Sequence, residues 1–371
     1  MEKKFQSISK TFRYVAGVAF SLLFFPVAGQ EGQPLRLAVA GLSHGHLAEV
    51  TRRVERGDFV VTGAYEQDAH IRENNGLRRK IDASLFYGDL EEMLDKTKPE
   101  AVVAYGSTYD HLRVVEACAP RGIHVMVEKP LAVNGEHAAK IEALAARYGI
   151  QVLTNYETSW YDTNRAVWQA VREGEIGTVT RINVYDGHQG PFEIGCGKEF
   201  TDWLTDPELN GGGAVIDFGC YGANLVTWLL NGEQPASVYG VLNHQKPDKY
   251  PRVDDDATVV VKYPSSVTVQ IMASWNWPMN RKDMHVYGSS GYIYQDTPTQ
   301  MRVYRDGKET AVTPPGLEAP RDDSFRYLKA VVRNEIRVAP FDPASLENNV
   351  TVVRILEAAI RSAQTGREVR F

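Results

Sequence analysis

Two short clusters carry groups that can move protons. The first is Glu128-Lys129-Pro130. An apolar run, Ile123 to Val127, reads as a buried parallel strand and stops abruptly there. Proline lacks an N–H and disfavours the α region for the residue before it. Lys129 is therefore expected to be extended, just past the carboxyl end of a strand, where ligands bind in an open α/β sheet. The second cluster is Asp217, Tyr221 and Asn224, spaced i, i+4, i+7 and so on one face of a helix. Such a polar stripe must face water, another subunit or a cleft. Ile216, Phe218, Leu225, Val226, Trp228 and Leu229 leave the solvent little of that helix. Three glycines, Gly211 to Gly213, open it and let a backbone or a ligand come close.

A third motif supplies a place for a nucleotide. The strand pattern Leu35 to Ala40 runs into Gly41-Leu-Ser-His-Gly-His46 and then a helical pattern, Leu47 to Arg56. Backbone N–H groups at such a helix start cradle a pyrophosphate. The fingerprint is imperfect: Ser43 stands for the second glycine, His46 for the third, and Gly45 comes one place early. The next strand, Phe59 to Glu66, ends in an acid 25 residues after Gly41. An acid there accepts hydrogen bonds from ribose hydroxyls and repels a 2′-phosphate, so NAD is expected rather than NADP. Gln67 adds no positive charge, and Arg72 is the one possible exception. The cofactor contacts expected are Gly41, Ser43, His44, Gly45, His46, Glu66, Glu128 and Lys129.

Strands and helices alternate as far as Asn155, which makes the first half a doubly wound parallel sheet of Rossmann type over residues 34–155. From there consecutive strand patterns joined by short turns predict an α+β domain, residues 156–345, with a large, mostly antiparallel open sheet. Residues 346–371 are expected to form a closing helix on the body, with Leu346, Val350, Val353, Leu356 and Ile360 at helical spacing. Residues 188–210 read as a polar loop.

The chain has 371 residues, 43% of them apolar, and a net charge of −6. Lys3, Lys4, Lys10 and Arg13 against Glu2 leave residues 1–29 at +3 and the rest at −9. That balance excludes nucleic acid and anionic membrane as partners. The basic start, the apolar stretch Tyr14 to Phe25 and the small residues Pro26 to Gly29 have the form of a secretory signal, too short to span a bilayer. A soluble protein exported to the periplasm or secreted is expected, without an Arg-Arg pair or a lipid-bearing Cys near the cleavage site. Cys118, Cys196 and Cys220 lack metal-ligand spacing and allow at most one disulfide; no metal site is expected. Asp254-Asp-Asp256 reads as a solvated turn before a strand. Trp160, Tyr161, His188, Trp203, Trp275 and Trp277 are aromatic candidates for stacking on a sugar, with core or dimer surface as the plainer reading.

Taken together, Glu128-Lys129-Pro130, the glycine-led Asp217-Phe-Gly-Cys-Tyr221 and the order of the two domains resemble the Gfo/Idh/MocA oxidoreductase family over about residues 35 to 371. Most of that family has His in place of Tyr221 and often Asp in place of Asn224. Tyrosine there resembles the glucose–fructose oxidoreductase and dihydrodiol dehydrogenase branches. The resemblance implies hydride transfer between a nicotinamide cofactor and a secondary hydroxyl of a sugar, glycoside or polyol. Such a reaction needs a base for the hydroxyl proton. A free Tyr is a poor base, but Lys129 nearby would favour its phenolate. Lys129 and Tyr221 are thus the expected catalytic pair, with Asp217 binding a hydroxyl or orienting Lys129. Asn224, His188 and Trp160 are candidate substrate contacts. The resemblance also implies a homo-oligomer built through the second sheet. A different class stays open: a glycoside hydrolase that oxidises, eliminates and reduces, with no net redox change.

Overall fold

The computed structural model describes residues 32–371; the signal-like stretch, residues 1–29, lies outside them. Six strands, β1 (Leu35–Ala40), β2 (Phe59–Tyr65), β3 (Phe86–Tyr87), β4 (Ala101–Ala104), β5 (His124–Glu128) and β6 (Val152–Asn155), form an all-parallel sheet in the order β3-β2-β1-β4-β5-β6. The order reverses beside β1, between β1 and β4, which puts a ligand crevice at the carboxyl ends of those strands. Both faces are covered. One buries Ala38, Val102, Val125 and Ile141, the other Leu37, Val39, Val103 and Met126. That second face is roofed in part by a helix from far along the chain, Ser324–Val332, which contributes Phe325, Leu328 and Val331.

Nine strands make the second sheet: β7 (Val179–Gly187), β8 (Ser237–Asn243), β9 (Asp256–Lys262), β10 (Thr268–Ser274), β11 (Arg281–Gly288), β12 (Tyr292–Gln295), β13 (Met301–Arg305), β14 (Lys308–Val312) and β15 (Val369–Arg370). Their order is β14-β13-β12-β11-β7-β10-β9-β8-β15. All neighbours are antiparallel except β7 and β10, whose register runs from Arg181↔Thr268 to Gly187↔Ser274. Ile182, Val184, Val259, Ile271 and Val286 face inward against Ala223, Val226 and Leu229 of a helix, Gly219–Leu229. The opposite face leaves Tyr239 and Val241 more than a third exposed.

The helix Leu346–Thr365 begins at Ser345, whose side chain accepts the Asn348 N–H, and ends at Gly366 in the left-handed region. It belongs to both halves. Val353 enters the core of the first, while Val352, Ile355, Leu356 and Ala359 enter the core of the second. No helix of the described residues is long and apolar enough to cross a membrane.

Candidate active site

Gly41 takes φ 81°, and a Cβ there would sit 2.3 Å from the Gly106 nitrogen, so only glycine lets β1 turn this close to the strand beside it. Leu42 donates its N–H to Glu66 Oε2 at 2.9 Å, tying the turn to the acid that ends β2. Gly41, Ser43 and Glu66 line a cavity of about 320 Å³ together with Asp110, Glu199 and Asp202. Arg72 donates to the carbonyls of Glu66 and Gln67, at 2.7 and 3.3 Å, so its guanidinium braces the backbone there.

The turn continues into a second cavity of about 570 Å³. His44, Gly45 and His46 border it, as do Lys129, Asp217, Tyr221 and His188. Glu128 holds the turn: its Oε2 meets His46 Nδ1 at 2.9 Å and its Oε1 accepts Asn155 Nδ2 at 2.8 Å. Burial opposes its charge, but the two histidines and Asn155 prevail and hold its carboxyl down at about 2. Burial, aided by His46, keeps His44 well below the usual histidine range. The sequence shows no metal-ligand spacing, yet His44, His46 and Glu128 bring three ligand atoms within 4.8 Å of one another. Two of the three groups, His46 and Glu128, are hydrogen-bonded to each other.

Lys129 Nζ donates to Asp217 Oδ1 at 2.5 Å and to the Asp217 carbonyl at 3.1 Å. Asp217 Oδ2 accepts the Trp275 indole N–H at 2.9 Å. Burial disfavours both charges, and the pair overcomes it: Asp217 is held down at about 2 and Lys129 is raised above its ordinary value. Asp217 thus meets Lys129 directly, as orienting it would require, and also borders the cavity. Tyr221 packs edge-on against Tyr156, with Lys129 Nζ 5.2 Å and Lys282 Nζ 4.4 Å from its ring centre. Its phenol is not drawn toward phenolate as expected. Burial, then the Glu157 carboxylate, pushes its pKa well up, because Lys129 is already committed to Asp217. Tyr221 therefore borders the cavity as a neutral phenol.

Several expectations fail for visible reasons. The helix after the triple glycine breaks at Phe218 into Ala214–Asp217 and Gly219–Leu229, so the stripe is not one continuous face. Asn224 points away from the cavity. It donates to the Pro343 carbonyl at 2.8 Å and to Asn348 at 3.0 Å, anchoring the helix Leu346–Thr365. Trp160 is a strut: its indole N–H donates to Asn155 Oδ1 at 3.1 Å and its ring lies 5.5 Å from that of Tyr327. His188 does border the cavity, its Nδ1 accepting the Gly190 N–H.

Asp254 and Asp255 are buried rather than solvated, at 5% and 0% exposure. Asp254 accepts the N–H groups of Gly213 and Val215, at 2.9 and 2.7 Å, and so sets the start of the segment that carries Asp217. A Cβ on Gly213 would fall 1.8 Å from the Asp254 carbonyl oxygen, which explains the glycine. Burial lifts the Asp254 carboxyl to about 6 despite these donors. Asp255 accepts from the Gln245 and Lys246 backbones and from Asn276.

Sequence reasoning missed the wall opposite Lys129. Lys282 of β11 borders the cavity and pairs with Glu157, which also accepts the Tyr161 hydroxyl at 2.7 Å. Arg281 pairs with Asp283. A charged run at a strand start reads as solvated surface, and nothing local says that it faces a cleft. The expected polar loop also holds a short helix, Lys198–Leu204, that lies against the glycine turn.

Residues 35–156 match the family model described as oxidoreductase family, NAD-binding Rossmann fold, and residues 164–294 match the GFO/IDH/MocA C-terminal domain. Among characterised proteins, the chain is 27% identical to trans-1,2-dihydrobenzene-1,2-diol dehydrogenase of Xenopus laevis, over 64% of this chain and 68% of that one. It is 24% identical to D-xylose 1-dehydrogenase (NADP(+)) 2 of Haloferax volcanii, over 77% and 84%. The crystal structure of aldose-aldose oxidoreductase from Caulobacter crescentus superposes with a TM-score of 0.77 at 22% identity, covering 91% of this chain and all of that one. A nicotinamide dinucleotide is thus the cofactor of this fold, and the chain belongs to the Gfo/Idh/MocA family of oxidoreductases.

Proposed function

We propose that this enzyme oxidises a secondary hydroxyl of an uncharged sugar, glycoside or polyol, and reduces the corresponding ketone, with Lys129, Asp217 and Tyr221 handling the proton. The observation that carries this reading is the convergence of the buried Lys129–Asp217 pair and Tyr221 on one cavity that continues from the glycine turn. The cofactor supplies the hydride acceptor or donor. Lys129, held charged by Asp217, donates hydrogen bonds toward a substrate oxygen. Tyr221, held in its acid form, gives a proton to that oxygen in reduction; in oxidation it can take the hydroxyl proton only as it passes its own proton on.

Charge argues for a neutral substrate. Each cation bordering the cavity has a carboxylate partner: Lys129 has Asp217, Lys282 has Glu157 and Arg281 has Asp283. A sugar acid would find no spare positive charge. Glu66, Asp110, Glu199 and Asp202 around the first cavity favour NAD over NADP, since a 2′-phosphate would enter among four carboxylates, with Arg113 in the same lining and Arg72 engaged with the Glu66 and Gln67 carbonyls. We further propose export, supported by the signal-like start of the sequence, and a homo-oligomer through the open face of the second sheet, supported by exposed Tyr239 and Val241.

The test is turnover with NAD on D-xylose, D-glucose, myo-inositol, D-gluconate and an aryl β-glucoside. NADH should appear with a neutral member and not with gluconate. Oxidation of gluconate alone would overturn the reading of the cavity, and aglycone release without net NADH would mark the redox-neutral hydrolase instead.

A further inference from the structure

The helix Lys198–Leu204 comes from the second half of the chain but lies on the nucleotide turn of the first. The His44 ring is 4.8 Å from that of Phe200 and 5.6 Å from that of Trp203, and the latter two meet edge-on at 5.0 Å. Phe200 borders the cavity that holds Lys129 and Tyr221. Trp203 borders the other one, with Gly41, Ser43, Glu66 and Gly106. One short helix therefore lies along both ends of the groove that a dinucleotide would fill.

Trp203 carries an unmet hydrogen bond. It is 7% exposed, and its indole N–H is buried with no acceptor. Other indoles near the site are satisfied, Trp275 by Asp217 and Trp160 by Asn155. Leaving a buried donor without a partner costs about 1–3 kcal/mol, so an acceptor is to be expected where the cavity is filled. The glycine turn beside Trp203 is where a dinucleotide brings its pyrophosphate and ribose oxygens.

We infer that Lys198–Leu204 is a clasp over the bound nucleotide, and that the Trp203 indole N–H donates to one of its oxygens. The clasp is anchored downstream. Tyr109 N donates to the Leu209 carbonyl at 2.9 Å, and Thr108 Oγ1 donates to Asn210 Oδ1 at 3.0 Å. Upstream it is reached through Gly195, at φ 77°, and Gly197. The helix can thus lift from its upstream end while Leu209 and Asn210 stay fixed to the first half. This inference does not depend on the roles given to Lys129 and Tyr221.

The test uses the full chain and NADH, followed by energy transfer from tryptophan emission to the nicotinamide, together with hydrogen exchange with and without NAD. Trp203→Phe keeps a ring against His44 and removes only the N–H donor and the second ring of the indole. Its dissociation constant for NAD should rise about 3- to 10-fold, the span of one net hydrogen bond, and release should quicken. In the wild type, NAD should slow exchange across residues 198–210, and the variant should show less slowing. Wild-type affinity in Trp203→Phe would overturn the hydrogen bond. Unchanged exchange across 198–210 in the wild type, which requires no variant to fold, would overturn the clasp. A wild type that binds neither NAD nor NADH would overturn the clasp and the cofactor assignment together.

Discussion

Asp217→Asn isolates the buried charge pair, because Asn can still accept the Trp275 N–H while Lys129 loses its counter-charge. Two unit charges 2.5 Å apart attract by about 7 kcal/mol at an effective dielectric of about 20. Desolvation takes back most of that. The Asp217 carboxyl ionises at about 2 instead of 3.8, a net gain of about 2 kcal/mol in the charged form. Because the folded value is the lower one, that gain is complete above about 4 and disappears as the pH falls through 2. Asn forfeits it and also strands the Lys129 ammonium, which is 7% exposed. Breaking one side of a buried pair costs about 3–5 kcal/mol in total. Lys129→Met should cost a similar amount by stranding the carboxylate. The double variant carries no stranded charge, so its loss should fall short of the sum by at least about 2 kcal/mol. Urea denaturation of the four proteins at neutral pH, read by tryptophan emission, measures each term. Losses that add within about 0.5 kcal/mol would refute the idea that the two charges stabilise each other, and so would an acid-stability slope in Asp217→Asn equal to the wild type's.

Three more outcomes follow from the same geometry. Tyr221→Phe should lower turnover by about 10² or more with nucleotide affinity unchanged; a rate near wild type would remove Tyr221 from proton transfer. Glu66→Ser should weaken NAD and improve NADP, because it removes both the ribose acceptor and the carboxylate that binds Leu42 N–H; a wild-type preference for NADP in competition assays would sink the assignment. Asn224→Leu should cost about 2–4 kcal/mol by removing the donor to the Asn348 and Asn349 amide oxygens and one of the two donors to the Pro343 carbonyl, with KM for the substrate unchanged in the folded fraction; a selective rise in KM would return Asn224 to the substrate cavity.

The parallel sheet was readable because strands covered on both faces must be apolar runs, as Ala101–Ala104 and Val125–Val127 are. Lys129 and Glu66 were readable because a strand end and a proline say where a side chain sits. What escaped reading depends on contacts made far away in the chain. Asn224 looked like part of a polar stripe because helical spacing cannot register the break at Phe218, nor the amides of Asn348 and Asn349 that receive it. Asp254 and Asp255 looked solvated because their partners are mostly backbone N–H groups, which no side-chain pattern reveals. Lys282 carries no local mark of facing Tyr221. The helix Lys198–Leu204 offers barely two turns between Gly195, Gly197 and Pro207, too short for periodicity to speak.

The helix Leu346–Thr365 has a bearing on how the protein is made. It knits the two cores together and receives Asn224, yet it leaves the ribosome after every other strand and helix of the body except β15. Until it arrives, the parallel sheet and the nine-stranded sheet have no shared helix to hold Lys129 opposite Tyr221, and Asn224 has nothing to bond. A nascent chain interrupted before residue 346 would carry every residue that borders the catalytic cavity but lack the helix that enters both cores and receives Asn224. The packing that locks the two cores to each other is thus completed only by the last helix made.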